Sequence, residues 1–232
     1  MEQQEKEFYL NQGYTEAQVE ELEAGKDAGI DISVYEDPEL TAMHMYQLRL
    51  GMQEGLNMRP YADGSFDWFQ IEEIRKGLSD FHDVSIYAKP SIPSDKMHQL
   101  RRGLNDGMDL SGFLNYEAGI IRQIRKALVN KVDVTSYAKQ GYDAEQLEEI
   151  RYALMDGLDI PQYLTPELRA VSIAQIAEGL KEGVDVELYA KTCYTWTQMR
   201  EIRLGLLNQI DIRFYLSPLY DRYQMREIRL GL

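Results

Sequence analysis

The string Gln-Met-Arg-Glu-Ile-Arg-Leu-Gly-Leu occupies residues 198–206 and returns at 224–232, 26 residues later. Repetition at so short a period constrains the fold more than any other feature. A unit of that size cannot enclose its own core and must bury its apolar side against the next unit. Weaker copies read Gln-Ile-Glu-Glu-Ile-Arg-Lys-Gly-Leu at 70–78 and Gln-Leu-Glu-Glu-Ile-Arg-Tyr-Ala-Leu at 146–154. The apolar residue after the glutamine sets a register of Val19, Met45, Ile71, Met97, Ile121, Leu147, Ile173, Met199 and Met225, spaced by 26 except for 24 between Met97 and Ile121. Columns below are counted from this reference residue.

Each copy carries its own helix signals. Tyr14-Thr15…Gln18, Phe66-Asp67…Gln70, Tyr142-Asp143…Gln146, Tyr194-Thr195…Gln198 and Tyr220-Asp221…Gln224 place an aromatic, a capping residue and a glutamine ahead of the apolar run. Such a cap accepts from the free first-turn N–H groups, the glutamine reaches back to the cap, and the aromatic staples the helix entry. Apolar residues then recur at the reference, three on and seven on, as in Met199, Ile202 and Leu206, which is one helical face. Gly29, Gly55, Gly107, Gly157 and Gly183 mark the stops, where glycine takes a left-handed conformation. A first helix of about 12–14 residues results.

A shorter element follows, as in Ile30–Tyr35, Val132–Tyr137, Val184–Tyr189 and Ile210–Tyr215. Its leading Asp is a cap, and five or six residues before a turn suit a short helix better than a strand. The expected fold is therefore all-α, an α-solenoid of about eight 26-residue repeats in one domain over 1–232. Partial repeats stand at 1–13 and 220–232, and full ones begin near 14, 40, 66, 92, 116, 142, 168 and 194. Opening inside a second element and closing inside a first helix, with no polar capping repeat, suggests a piece of a longer protein. In the middle, Phe81-His82 replaces the usual glycine-apolar pair, Pro90…Pro93 follows and the next unit is two residues short, which reads as a bend or a hinge.

Three columns read as scaffold. Glycine or alanine six after the reference (Gly25, Gly51, Gly77, Gly103, Ala127, Ala153, Gly179, Gly205, Gly231) costs helix stability and so implies close helix–helix approach. Arginine four after it (Arg49, Arg75, Arg101, Arg125, Arg151, Arg203, Arg229) and Asp eight further on (Asp31, Asp83, Asp109, Asp133, Asp159, Asp185, Asp211) read as a structural ladder in preference to a phosphate ladder, each Arg meeting an Asp or loop carbonyls. Glu23 and Ala177 break the arginine column. Tyr35, Tyr61, Tyr87, Phe113, Tyr137, Tyr163, Tyr189 and Tyr215 read as core with a polar tip.

The columns one, five and eight after the reference vary freely and share one helical stripe. A merely solvated stripe is polar throughout. This one carries Tyr46, Leu50, Tyr152, Met155, Leu204 and Leu207, with a basic cluster of His98, Arg102, Arg122 and Lys126, so it is the candidate partner-binding surface. Trp68-Phe69 and Trp196, placed before first helices, form a second candidate.

No chemistry emerges beside it. His44, His82 and His98 with the single Cys193 give no metal-ligand spacing, and no disulfide framework is possible. Phosphate loops, nucleophile elbows and EF-hand patterns are absent, and the acidic residues fall in repeated columns with no unique pair among them. The expectation is no enzyme, no cofactor and no metal. A formal charge of −14 repels nucleic-acid phosphates and anionic membranes. Neither a secretory signal nor an apolar run near the roughly 20 residues of a bilayer span is visible, which places the chain in the cytoplasm by default.

The units Gln-Met-Arg-Glu-Ile-Arg-Leu-Gly-Leu and Gly-Val-Asp-Val-Glu-Leu-Tyr-Ala resemble short two-helix tandem repeats of uncharacterised bacterial proteins, often associated with mobile elements. The resemblance spans nearly the whole chain. It implies repeat architecture and a mobile-element setting, and supplies no activity or functional residue. The functional expectation is a non-catalytic protein-binding module. Two other readings stand beside it: an acidic inhibitor that mimics nucleic acid in a basic groove, against which the cluster at Arg102, Arg122 and Lys126 argues, and a structural spacer, which requires a uniformly polar stripe.

Overall fold

The computed structural model describes residues 2–231, so the two ends of the expected 1–232 repeat domain, Met1 and Leu232, lie outside the described residues. The described residues are helix, turn and loop, with no strand among them. The chain is all-α and divides into two compact units, Met1–Ala118 and Gly119–Leu232. The single 24-residue interval, between Met97 and Ile121, spans that division.

The first unit contains α1 (Gln3–Asn11), α2 (Glu16–Asp27), α3 (Ala42–Gln53), α4 (Trp68–Ser79) and α5 (Ser94–Asn105), each packed on the next. The second contains α6 (Ala118–Val129, all but its first residue), α7 (Thr135–Lys139), α8 (Ala144–Met155), α9 (Ala170–Glu182), α10 (Trp196–Leu207) and α11 (Arg222–Gly231). There α8 packs on α9, α9 on α10 and α10 on α11. Within each unit the long helices run in register with the 26-residue period, as a helical solenoid requires.

The helices start where the caps stand. Thr15, Asp67, Asp143 and Thr195 each form a complete capping box with Gln18, Gln70, Gln146 and Gln198, and Asp221 with Gln224 exchanges the same two bonds. Tyr14, Phe66, Tyr142 and Tyr194 are buried at the entries as staples, whereas Tyr220 is exposed. Four of these glutamines also link adjacent repeats. The Gln18 side-chain amide donates to the carbonyls of Pro38 and Leu40, Gln70 to Pro90 and Ile92, Gln146 to Pro166 and Leu168, and Gln198 to Pro218 and Tyr220. One side chain thus joins the start of a helix to the loop that delivers the next. Pro90 belongs to this arrangement and is no irregularity of its own. Pro93 is the N-cap of α5.

The helices stop as expected. Gly29, Gly55, Gly107, Gly157 and Gly183 have φ between +70 and +79°, and the residue after each donates back to the carbonyl five positions earlier in the closing loop, as Ile30 does to Gly25. Phe81, Lys131 and Gln209 fill the same place with φ near +60° despite their Cβ atoms. The second element is a single 3₁₀ turn in most repeats, including Ile32–Val34, Val84–Ile86, Val186–Leu188 and Ile212–Phe214, and one α-helical turn only at α7. Asp31, Asp83, Asp185 and Asp211 are its N-caps, each accepting from the N–H two residues on, and Asp109 and Asp133 make the same bond from one position before the caps Leu110 and Val134.

The core differs from the expected face in one respect. The reference residues and those three after them, such as Ile71 and Ile74 or Met199 and Ile202, are fully buried, while the column seven after is only half-buried, as at Leu78 and Leu206. The third member of the buried face is the glycine or alanine column. Its reason is also different from the expected one, because the neighbour it admits is a tyrosine from its own repeat in place of a second helix. A Cβ at Gly25, Gly77, Gly179 or Gly205 would overlap the hydroxyl of Tyr35, Tyr87, Tyr189 or Tyr215. These four tyrosines are completely buried, and each hydroxyl donates to a carbonyl inside the first helix: Glu21, Glu73, Gln175 or Glu201, at 3.2–3.5 Å. In the remaining repeats Met58, Leu110, Val134 and Ile160 are the buried plugs, and Tyr61, Phe113, Tyr137 and Tyr163 stay half-buried. Ala127 and Ala153 are tolerated in this second group because no hydroxyl must pass.

Gly77→Ala lowers unfolding stability by about 2 kcal/mol through overpacking, and the loss shrinks in a Tyr87→Phe background; urea denaturation of the four variants of that cycle measures both. Phe81→Gly raises stability by about 1 kcal/mol by relieving the left-handed Cβ penalty. Burial pushes the Tyr35 and Tyr215 hydroxyls up to about 12 and raises those of Tyr87 and Tyr189 as well. Unfolded tyrosines release their proton near pH 10. The native state then binds more protons than the unfolded one, so stability is complete below pH 10 and falls as pH rises through 12. Circular dichroism and phenolate absorbance recorded together should change in one transition over that range.

Candidate interaction surface

Removing the columns used in stacking leaves what is available for contact. The arginine column is structural, but its partner is not the Asp column, six of whose seven carboxylates accept from their own turns. Arg49 donates through Nε to Glu21, Arg75 to Gln47, Arg101 to Glu73, Arg151 to Gln123, Arg203 to Gln175 and Arg229 to Glu201, at 2.8–3.3 Å. Every acceptor lies two after the reference on the preceding first helix. A second contact recurs nine after the reference: Arg75 with Glu54, Arg101 with Asp80 and Arg203 with Glu182. These guanidiniums are half-buried or buried, so the pairs are shielded from salt. The signal was present in the sequence, since the column two after the reference is Glu or Gln at Glu21, Gln47, Glu73, Gln99, Gln123, Glu149, Gln175, Glu201 and Glu227 alike.

In the first unit the stripe residues are mostly engaged. Tyr46 is half-buried with the Arg49 guanidinium 5.4 Å from its ring centroid, and Leu50 is half-buried. His98 Nδ1 lies 3.2 Å from the Glu73 carboxylate, and Arg102 is exposed. In the second unit Arg122 is exposed on α6, while Lys126 pairs with Glu148 at 3.7 Å. The expected basic cluster is thus split between two units, with His98 and Lys126 already facing carboxylates.

The apolar members fare differently. Tyr152 and Met155 on α8 are 47% and 45% exposed, and Leu207 on α10 is 43% exposed beside a half-buried Leu204. Arg151 orders this patch from below: its guanidinium lies 4.1 Å from the Tyr152 ring centroid and donates to Met155 Sδ at 3.4 Å. Between them α9 contributes Ala174, Glu178 and Lys181, and a groove of ≈ 370 Å³ separates α8 from α9, lined in part by Tyr152, Ala174 and Glu178. The aromatic candidates lie inside first helices, not before them. Trp68 and Phe69 open α4 and stack on each other at 3.5 Å, with Phe69 exposed and Trp68 half-buried, and Trp196 opens α10, half-buried.

Among the described residues no group of three His, Cys, Asp or Glu side chains could hold a metal ion, and no helix is long and apolar enough to cross a membrane. No protein-family model matches the chain, and no curated protein or solved structure matches it either.

The division between ladder and stripe has a measurable consequence. Arg203→Leu should cost about 3 kcal/mol, because the buried Gln175 amide and two carboxylates lose their cation. Tyr152→Asp and Leu207→Asp should each stay within about 1 kcal/mol of the parent, as exposed positions do. Thermal or urea denaturation of the single variants separates the two classes.

Proposed function

We propose that the chain is a non-catalytic protein-binding scaffold whose contact surface is the variable stripe on α8–α10 of the second unit. One observation carries this reading: Tyr152, Met155 and Leu207 expose large apolar surface on a stripe that stacking does not use. Contiguous exposed apolar surface with a polar rim marks interaction sites, and aromatic side chains are favoured among their anchors. A spacer has no need of it. Glu178 and Lys181 on α9 supply polar groups between the apolar residues of α8 and those of α10.

A second reading has its own support. Residues 1–118 hold 23 acidic and ten basic side chains, against 16 and 15 in 119–232, so the net charge is −13 in the first unit and −1 in the second. A nucleic-acid mimic directed at a basic groove would use the first unit, whereas the apolar patch is in the second.

Capture from the native host with the parent chain and with a Tyr152→Asp, Leu204→Asp, Leu207→Asp variant discriminates these. The expected result is a specific partner lost with the triple variant and kept by a variant with three matched aspartates on exposed positions of α2. Equal capture by the parent and the triple variant would remove the stripe from the account. Capture that depends instead on first-unit carboxylates and vanishes at high salt would support the mimic.

A further inference from the structure

The arginine ladder is interrupted inside the second unit. Four after the reference on α9 stands Ala177, where Arg151 and Arg203 occupy the equivalent place on α8 and α10. The receiving half of the contact is nevertheless intact on α8. Glu149 lies two after the reference and Asp156 nine after it, the two places from which Gln47 and Glu54 hold Arg75, Glu73 and Asp80 hold Arg101, and Gln175 and Glu182 hold Arg203. Both α8 positions are carboxylates, a more acidic receiver than two of those three. Where the guanidinium of the other repeats would lie, the structure has the α8–α9 groove of ≈ 370 Å³, lined by Glu149, Tyr152, Asp156, Ala177, Glu178 and Lys181 among others.

We propose that this groove is a binding site for the guanidinium of an arginine side chain presented by a partner protein. The inference rests on the stripe reading and names the partner's chemistry, because Tyr152 belongs to both the groove and the stripe. The chain supplies its own template for the ligand, with six arginines held by the matching position of the preceding helix. Glu149 itself makes no hydrogen bond or ion pair among the described residues. Its carboxyl is raised above the ordinary range by burial first and then by the charges of Glu148 and Glu178, with Arg151 and Lys181 opposing. An incoming cation would relieve that cost.

The groove also discriminates between cations. Lys181 already reaches Asp156 at 2.5 Å from the rim, with half its side chain exposed, yet forms no ion pair with Glu149. A point charge can satisfy one carboxylate, whereas the planar fork of a guanidinium can bridge two. The exposed Tyr152 and Met155 beside the groove favour an apolar residue next to the partner's arginine.

The test uses the full chain with N-acetyl-arginine amide as probe and N-acetyl-lysine amide as comparison, followed by nuclear magnetic resonance. Arginine should produce saturable shifts at Glu149, Tyr152 and Ala177, with a dissociation constant on the order of 1 mM for so small a ligand, and should bind at least about threefold tighter than lysine. Ala177→Arg should abolish the shifts by filling the groove with the chain's own guanidinium. The isosteric Glu149→Gln, which leaves packing unchanged, should weaken binding about fivefold or more. Absence of saturable shifts at these residues, equal binding of the two probes, or binding unaffected by Glu149→Gln would each overturn the proposal. If partner capture survives in Ala177→Arg while probe binding is lost, the stripe stands and only the arginine site is removed from it.

Discussion

A helix of 12 residues is marginal by itself in water, so every first helix in this chain depends on the apolar contact it makes with its neighbours. The reference residue and the one three after it carry that contact. Ile71 and Ile74, Ile121 and Ile124, Leu147 and Ile150, and Met199 and Ile202 are all withdrawn from solvent completely. Everything polar in the repeat is arranged around this burial. Gln70 holds the loop that delivers α5, Arg101 returns from α5 to Glu73 on α4, and Tyr87 closes the repeat by entering the space that Gly77 leaves. None of these contacts needs a residue distant in sequence by more than about one period, which is why the same few columns can be reused along the chain.

Much of this was legible in the sequence because a repeat provides its own comparison. The caps, the left-handed stops at Gly29 and Gly157 and the reference face all follow from local rules that act within one turn of helix. What was not legible involves atoms that meet across repeats. The arginine column looked suited to the Asp column, but Asp31 and Asp83 each give Oδ1 to an N–H of their own 3₁₀ turn, and Asp31 Oδ2 meets Arg59, which is not in the arginine column. The guanidiniums therefore reach back to the Glu or Gln of the preceding helix, a separation of 28 residues that reading one unit at a time does not reveal. Glycine presents the same difficulty. Its column implied close packing correctly, but a tyrosine hydroxyl from the same repeat fills the gap in place of a neighbouring helix.

The candidate surface was legible as a stripe and less so as individual residues. Spacings along a helix place Tyr152, Met155, Leu204 and Leu207 on one side, and the exposures of Tyr152, Met155 and Leu207 agree. His98 and Lys126 were legible as cations but not as cations already paired, since Glu73 and Glu148 approach them from an adjacent helix. The interruption at Ala177 was visible as a missing arginine. Only the positions of Glu149 and Asp156 turn that omission into an acidic groove. Departures from the repeat rule are thus where this fold has room for anything beyond stacking.

The dependence of each helix on its neighbours is tested most directly by hydrogen exchange, read by mass spectrometry, on the intact chain and on Ile74→Ala. Ile74 is fully buried in α4, between α3 and α5 in chain order. If mutual burial sustains the array, removing this side chain should reduce protection in α3 and α5 together with α4. Loss of protection confined to α4, with its two neighbours unchanged, would contradict the account.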